Sequence, residues 1–421
     1  MLNLIVALSL PLGTPPSPDR FQWFREARLG MFIHWGPVSL RETEIGWSRG
    51  DTVPIADYDS LYKRFNPAAF DADAWMKLAK QAGFRYVVPT AKHHDGFCLW
   101  PSEQTSYTIA ATPFGRDIMG EIAHAAGKKG LAMCSYFSIL DWRDPDYATG
   151  SPGGHSVTPS PKMDRFMGRI KAELSELITR YGIKLIWFDG HWEKPFTRDR
   201  SIDLNRFVRT LSPQIVINNR VESQDLGRED PRGDYLTPEQ QVGSYNTEHA
   251  WETCMTLGDQ WAYRSNENYK SLPQVLKILV QTVTGDGNLL LNVGPDATGR
   301  IPTEQQRLLL GMGTWLKTAG EGIYRTRGGP YHNGDWGGST RRGHTIYIHV
   351  LDWSKGDVRL PPLPATVRSF RTLQKGVKVA VRSDEAGLVL HLVGPVPAEP
   401  TTVRLDIDRD AWTLGTIGSV R

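Results

Sequence analysis

The sequence predicts an α/β protein, a (β/α)8-type TIM barrel followed by a C-terminal antiparallel β-sandwich. Three observations carry that prediction. Short continuous apolar runs alternate with segments of helical spacing across about 300 residues, as in a parallel sheet buried on both faces. Composition changes after Tyr324, and alternating strand-like segments then follow at short spacing. Polar residues recur where the apolar runs end, which is the face on which a parallel barrel carries its chemistry.

The 421 residues accommodate one large and one small domain. Leu2–Leu12 is a short apolar run followed by Gly13-Thr14-Pro15-Pro16. It matches a secretory h-region in length and is too short to span a bilayer. Residues 1–18 are therefore read as a signal-like segment or a packed tail. Export is favoured (periplasmic, secreted or lysosome-like), with the cytoplasm left open. The barrel is assigned to residues 19–327. Its strands are placed at Leu29–Trp35, Tyr86–Ala91, Leu131–Phe137, Leu185–Phe188, Ile215–Asn219 and Asn288–Val293. Helical spacing marks Asp71–Ala82, Asp117–Lys129, Arg165–Tyr181, Asp203–Leu211, Leu272–Thr284 and, after Pro302, Thr303–Leu316. Six strands are visible, so closure into eight is inferred from the repetition. Gly328-Gly329-Pro330 through Gly337-Gly338 is rich in turn residues and reads as a linker or long loop. The sandwich is assigned to residues 328–421, with strands at Thr345–Leu351, Val367–Leu373, Val377–Val381, Leu388–Val393 and Thr402–Ile407.

Lys plus Arg is 49 and Asp plus Glu is 46, a net charge of +3. That balance makes no electrostatic case for nucleic acid or an anionic membrane. No later run reaches the roughly 18 apolar residues needed for membrane insertion. Cys98, Cys134 and Cys254 form neither a disulfide framework nor a metal-binding pair and read as small buried hydrophobes. Neither metal nor cofactor is expected. The 14 tryptophans suit both core filling and sugar platforms.

The strand ends supply Ile33-His34-Trp35-Gly36, then Thr90-Ala91-Lys92-His93-His94-Asp95-Gly96-Phe97, then Trp187-Phe188-Asp189-Gly190-His191-Trp192 and Asn218-Asn219-Arg220. Thr237-Pro238-Glu239 and Trp251-Glu252-Thr253-Cys254 come later. Imidazole and guanidinium groups hydrogen-bond sugar hydroxyls, indoles cover the apolar face of a ring, and paired carboxylates cleave a glycosidic bond. The inventory suits a glycoside hydrolase.

Phe32-Ile33-His34-Trp35-Gly36, the Thr90–Phe97 segment, Trp187-Phe188-Asp189-Gly190 and Asn288-Leu289-Leu290-Leu291-Asn292-Val293-Gly294-Pro295 together resemble glycoside hydrolase family 29, the α-L-fucosidases. The four motifs stand in the family's order and spacing between Phe21 and about Tyr324. The resemblance implies a retaining exo-α-L-fucosidase acting on fucosylated oligosaccharides or glycoconjugates. By the same resemblance Asp189 matches the nucleophile and Glu239 the acid/base. His34, His93, His94, Trp187, Arg220 and Trp261 match the sugar-binding set. Glu44-Ile45-Gly46-Trp47 covers the region of the family's Glu-Trp pair, although here the two are not adjacent, and Glu44 and Trp47 are carried over with it.

Fucose lacks a C6 hydroxyl, so its methyl group wants an apolar pocket, for which Phe32, Trp187 and Trp261 are candidates. His34, His93, His94 and Arg220 are candidates for its hydroxyls. Glu252 and Glu248 compete with Glu239 for the acid/base role. Trp142, Trp192 and His191 are candidates for the leaving-group side. Three other readings stay open: an α-galactosidase, a metal-dependent barrel hydrolase built on the His93-His94-Asp95 cluster with His34 and Asp189, and a barrel that binds sugar without cleaving it. Linkage preference and oligomeric state are not legible.

Overall fold

The structure is a computed structural model that describes residues 20–147, 162–223 and 233–418. The signal-like segment expected over residues 1–18 lies outside the described residues. The first domain is a parallel barrel of β1 (Leu29–Ile33), β2 (Tyr86–Lys92), a broken third strand made of β3 (Ala132–Met133) and β4 (Ser135–Ser138), β5 (Leu185–Asp189), β6 (Val216–Ile217), β7 (Glu252–Thr256) and β8 (Asn288–Val293). All neighbouring pairs are parallel, in the order β6-β5-β4-β2-β1-β8-β7.

Residues 234–240 close the ring between β6 and β7. Asp234 N donates to Ile217 O (2.7 Å) and Asn219 N to Tyr235 O (2.9 Å) on one side. Glu252 N donates to Leu236 O (2.9 Å) and Gln240 N to Cys254 O (3.0 Å) on the other. The bridges Asn218–Tyr235, Leu236–Trp251 and Glu239–Cys254 are all parallel. The barrel thus has eight strand positions. The two absent from the six read in the sequence are β7 and this irregular sixth position, where Pro238 removes an N–H from the ladder.

Helices follow six of the eight positions among the described residues: α3 (Ala72–Ala82), α4 (Ile118–Lys129), α5 (Met163–Tyr181), α6 (Arg198–Leu211), α7 (Leu272–Thr284) and α8 (Thr303–Ala319). Two short helices, α1 (Gln22–Ala27) and α2 (Ile55–Tyr58), precede them. Asp71 and Asp117 are N-caps, accepting from Ala74 N and Gly120 N at 2.9 Å, so α3 and α4 begin one residue later than the sequence spacing suggests. No helix among the described residues is long and apolar enough to cross a membrane.

The pleat sorts each strand's side chains into two sets. Met31, Ile33, Val87, Ile186, Phe188, Leu289 and Leu291 face outward and pack with the helices. Phe32, Tyr86, Tyr136, Leu185, Trp187, Tyr235, Cys254 and Leu290 fill the barrel interior, and Phe21 and Phe24 around α1 join them at its N-terminal end. Gly30 makes room inside, because a Cβ there would lie 2.2 Å from the Tyr86 ring.

The turn-rich stretch expected as a linker or long loop begins and ends in strands, with turns and isolated bridges over residues 329–336. β9 (Arg327–Gly328) and β10 (Gly337–Arg342) are antiparallel neighbours in a five-stranded sheet, completed by β11 (Thr345–Val350), β16 (Thr401–Ile407) and β13 (Val367–Thr372). β12 (Val358–Leu360), β15 (Gly387–Val393) and β14 (Lys378–Asp384) form the facing three-stranded sheet. Ile346, Ile348, Val403 and Leu405 pack against Leu360, Leu388 and Leu390 between them. At the junction with the barrel, Asp286 accepts from Arg28 and Arg327, both at 2.6 Å, and from Gly328 N at 2.9 Å. Burial would raise the Asp286 pKa, but these partners hold it below the usual carboxylate value. On the far side, Trp315 Nε1 of α8 donates to Pro400 O at 2.9 Å.

Candidate active site

A cavity of about 620 Å³ opens where the strands end. Phe32, Trp187, Cys254 and Trp261 form its apolar side, and Asp189, Arg220, Glu239, His34 and His93 its polar side. Trp47, His191 and Trp192 complete the lining with Tyr136, Asn219 and Thr237.

Asp189 is the last residue of β5 and is 8% exposed. One carboxylate oxygen accepts from the Tyr136 hydroxyl at 2.9 Å, the other from Arg220 at 2.8 Å. His94 Nε2 stands 3.7 Å away. Burial opposes the charge on Asp189, but Arg220, His94 and Tyr136 outweigh it and hold the pKa below the usual carboxylate value. Asp189 is accordingly an anion across the neutral range. Gly190 follows at φ +84°, which turns the chain sharply away behind the carboxylate.

Arg220 ties the site together. Its second terminal nitrogen donates to Glu239 at 2.6 Å, its Nε donates to the Thr237 hydroxyl at 3.0 Å, and its guanidinium lies 4.5 Å over the Trp187 ring. Burial would weaken its charge, but Asp189 and Glu239 more than offset that and raise its pKa. One fork thus holds two carboxylates, one from β5 and one from the irregular sixth strand position. Glu239 is the more exposed partner, with 40% of its side-chain surface open.

The hydrogen-bond chains fix the tautomers of two histidines. Asn292 Nδ2 donates to Trp261 O at 2.7 Å, so its Oδ1 accepts from His34 Nδ1 at 2.7 Å. The Ser138 hydroxyl donates to Leu140 O at 2.8 Å, so its oxygen accepts from His94 Nδ1, also at 2.7 Å. Burial draws both imidazoles down to about 4, which leaves them neutral with an Nε2 lone pair free. His93 stacks on Tyr136 at 5.1 Å with 6° between the rings, and its buried Nδ1 has no partner among the described residues. Of the three, His34 and His93 line the cavity, where a neutral imidazole can accept from a sugar O–H group.

Eight of the ten residues assigned in the sequence line the cavity: Asp189, Glu239, His34, His93, Trp187, Arg220, Trp261 and Trp47. His94 and Glu44 do not. His94 packs beside Asp189, its Nε2 3.7 Å from the carboxylate. Glu44 accepts from Trp261 N at 2.8 Å and Ala262 N at 3.4 Å, so it anchors the loop that carries Trp261. Trp192 and His191 line the cavity, whereas Trp142 is 2% exposed and donates to Glu193 at 3.2 Å. Tyr136 escaped the sequence reading. Its signal was an aromatic residue one step before the end of a strand, at an inward position of the pleat.

Trp261 presents its ring 4.9 Å from His34 and 5.9 Å from Phe32, while its backbone is held by Glu44 and Asn292. Because main-chain bonds fix the loop, Trp261→Ala is expected to remove sugar contact more than stability. A loss of about 1.4 kcal/mol corresponds to a tenfold rise in KM on an aryl α-L-fucoside. A variant whose Tm collapses while its KM stays unchanged would instead mark Trp261 as a core residue.

The profile of the family described as alpha-L-fucosidase matches residues 17–321. The tissue alpha-L-fucosidase of Bos taurus is 30% identical over 94% of this chain and 88% of its own length. Alpha-L-fucosidase isoenzyme 1 from Paenibacillus thiaminolyticus superposes with a TM-score of 0.85 at 34% identity, covering 93% of this chain and 99% of that one. A family 29 α-L-fucosidase from Bacteroides thetaiotaomicron, crystallised as a trapped covalent intermediate with 2-fluoro-fucosyl fluoride, superposes at 0.83 with 30% identity. That match covers 95% of this chain and 98% of the other.

Proposed function

Because the chain belongs to glycoside hydrolase family 29, the α-L-fucosidases, we propose that it cleaves terminal α-L-fucose from fucosylated glycans by double displacement, with Asp189 as nucleophile and Glu239 as acid/base. The observation that carries this reading is the shared guanidinium of Arg220, which brings an interior carboxylate and a more exposed one to opposite sides of a single fork. Such closeness suits a retaining enzyme, whose carboxyl groups stand about 5–5.5 Å apart.

In the first step an Asp189 oxygen attacks C1, and the C1–O bond to the aglycone breaks as Glu239 gives its proton to the departing oxygen. The oxygen held by Tyr136 and the one held by Arg220 divide the nucleophile's charge, so either can form the ester while the other stays hydrogen-bonded. In the second step Glu239 takes a proton from water, the water oxygen bonds to C1, and Asp189 is released as carboxylate. The trapped covalent intermediate of the Bacteroides thetaiotaomicron relative supports a covalent route. In this reading His34, His93 and Arg220 serve the hydroxyls and Phe32, Trp187 and Trp261 the fucose methyl; all six line the cavity. Trp47 and Trp192, parallel within 15° at 6.0 Å, form one aromatic wall suited to a leaving-group sugar.

The test is turnover of aryl α-L-fucoside against aryl α-D-galactoside, with the released anomer followed by NMR from the first minutes. Preference for the fucoside and first appearance of α-L-fucose are expected. First release of the β anomer would overturn the double displacement.

A further inference from the structure

Glu252 carries no role in the steps above, yet it sits directly beneath them. It is the first residue of β7, fully buried inside the barrel. Trp187 Nε1 donates to one of its oxygens at 3.1 Å, and the Tyr86 hydroxyl donates to the other in a short hydrogen bond. Tyr235 and Cys134 also face it, and no ion pair to it exists among the described residues. A lone buried carboxylate is costly, and burial accordingly pushes this carboxyl up to about 8, so it keeps its proton at neutral pH. A neutral acid there adds no charge to compete with Asp189.

The indole it grips supports both donors of the nucleophile. Tyr136 stacks on Trp187 at 5.6 Å and 19°, and the Arg220 guanidinium lies over the ring. Each of these two side chains then donates to a different oxygen of Asp189. We propose that Glu252 is a positioning residue that fixes the Trp187 indole from below, and through it the Tyr136 and Arg220 donors on Asp189. The inference rests on Asp189 being the nucleophile.

The two variants to compare are Glu252→Gln, which keeps the size and the acceptor for Trp187, and Glu252→Leu, which removes it. Both are assayed on an activated aryl α-L-fucoside across pH, with Tm measured in parallel. Loosening Tyr136 and Arg220 removes groups that hold the Asp189 pKa down, so the acidic limb of kcat/KM should move to higher pH. Expected for Glu252→Leu is a loss of about 10²-fold in kcat/KM, the scale of a small misplacement of reacting groups, together with that limb shift. Glu252→Gln should stay within a few-fold of the parent with its limb unmoved. If Glu252→Leu does not fold, Trp187→Phe, which replaces the indole by a phenyl ring and so removes the N–H that Glu252 accepts, should show the same limb shift.

A lower Tm in Glu252→Leu with an unmoved limb would make Glu252 a purely structural residue and overturn the proposal. Equal damage in Glu252→Gln and Glu252→Leu would overturn it too, because the ionised charge would then matter rather than the grip. Azide rescue of Glu252→Ala to α-L-fucosyl azide would sink both this proposal and the acid/base role of Glu239. Failure of Asp189→Gly to lose activity would sink the underlying reading and this proposal with it, whereas an unmoved limb in Glu252→Leu, with Asp189→Gly inactive, would sink this proposal alone.

Discussion

Asp189→Gly is expected to leave less than about one part in a thousand of the parent turnover, since removing a covalent nucleophile leaves only binding and the remaining electrostatics. The carboxylate is the meeting point of Tyr136, Arg220 and His94, and no neighbouring side chain can take its place at the end of β5. Glycine at this position opens a small space on the attacking side of the sugar. Azide entering that space should restore turnover of an activated aryl α-L-fucoside and give β-L-fucosyl azide, with configuration inverted. The Arg220 pair with Glu239 survives the substitution, so the fold should too. Substantial activity without azide would remove Asp189 from the nucleophile's role.

Glu239→Ala should separate substrates by leaving group. General-acid assistance is worth about 10²–10⁴-fold where the departing oxygen is a poor leaving group and little where it is a good one. Loss on a fucosylated glycan should therefore approach that range, while an activated aryl fucoside forms the covalent intermediate nearly as fast as with the parent. The second step then lacks its base, and azide should intercept the intermediate as α-L-fucosyl azide, with configuration retained. The two azide products differ only at C1. A single NMR measurement of each thus distinguishes the two carboxylates. If Glu252→Ala gave this pattern and Glu239→Ala did not, the assignment would move to Glu252.

Depth in the barrel is what separates Glu239 from Glu252, and depth was only partly legible in the sequence. Parallel barrels place polar groups at strand ends, so His34, Asp189 and Arg220 stood out after clear apolar runs. The sixth strand position did not, because residues 234–240 pair through isolated bridges rather than a continuous ladder and include Pro238. Without that strand, Pro238 and the resemblance favoured Glu239 but left Glu252 in competition. In the structure Glu239 bridges to Cys254, two residues further along β7 than Glu252, and thus lies nearer the mouth. Glu252 pairs with Asn288 at the beginning of β8, at the opposite end from Asp189 on β5. Tyr136 was missed for a related reason: attention to strand ends overlooks inward residues one step earlier. The place of Glu44 in the sugar-binding set came from resemblance, and its contacts place it under the Trp261 loop instead.

The Arg28–Asp286–Arg327 junction has a consequence for how the chain is made. Arg28 lies just before β1, Asp286 just before β8, and Arg327 at the start of the second domain. Both the Arg28 and Asp286 side chains are nearly inaccessible, so a ribosome-bound chain that stops before Arg327 would bury Asp286 with one of its two cationic partners missing. Trp315 of α8 likewise waits for Pro400. Although domains often fold one by one during synthesis, these contacts of the barrel are complete only after Arg327 and then Pro400 have emerged. A chain terminated before Arg327 is therefore expected to be more open to proteolysis than the full chain, because its Asp286 lacks a partner.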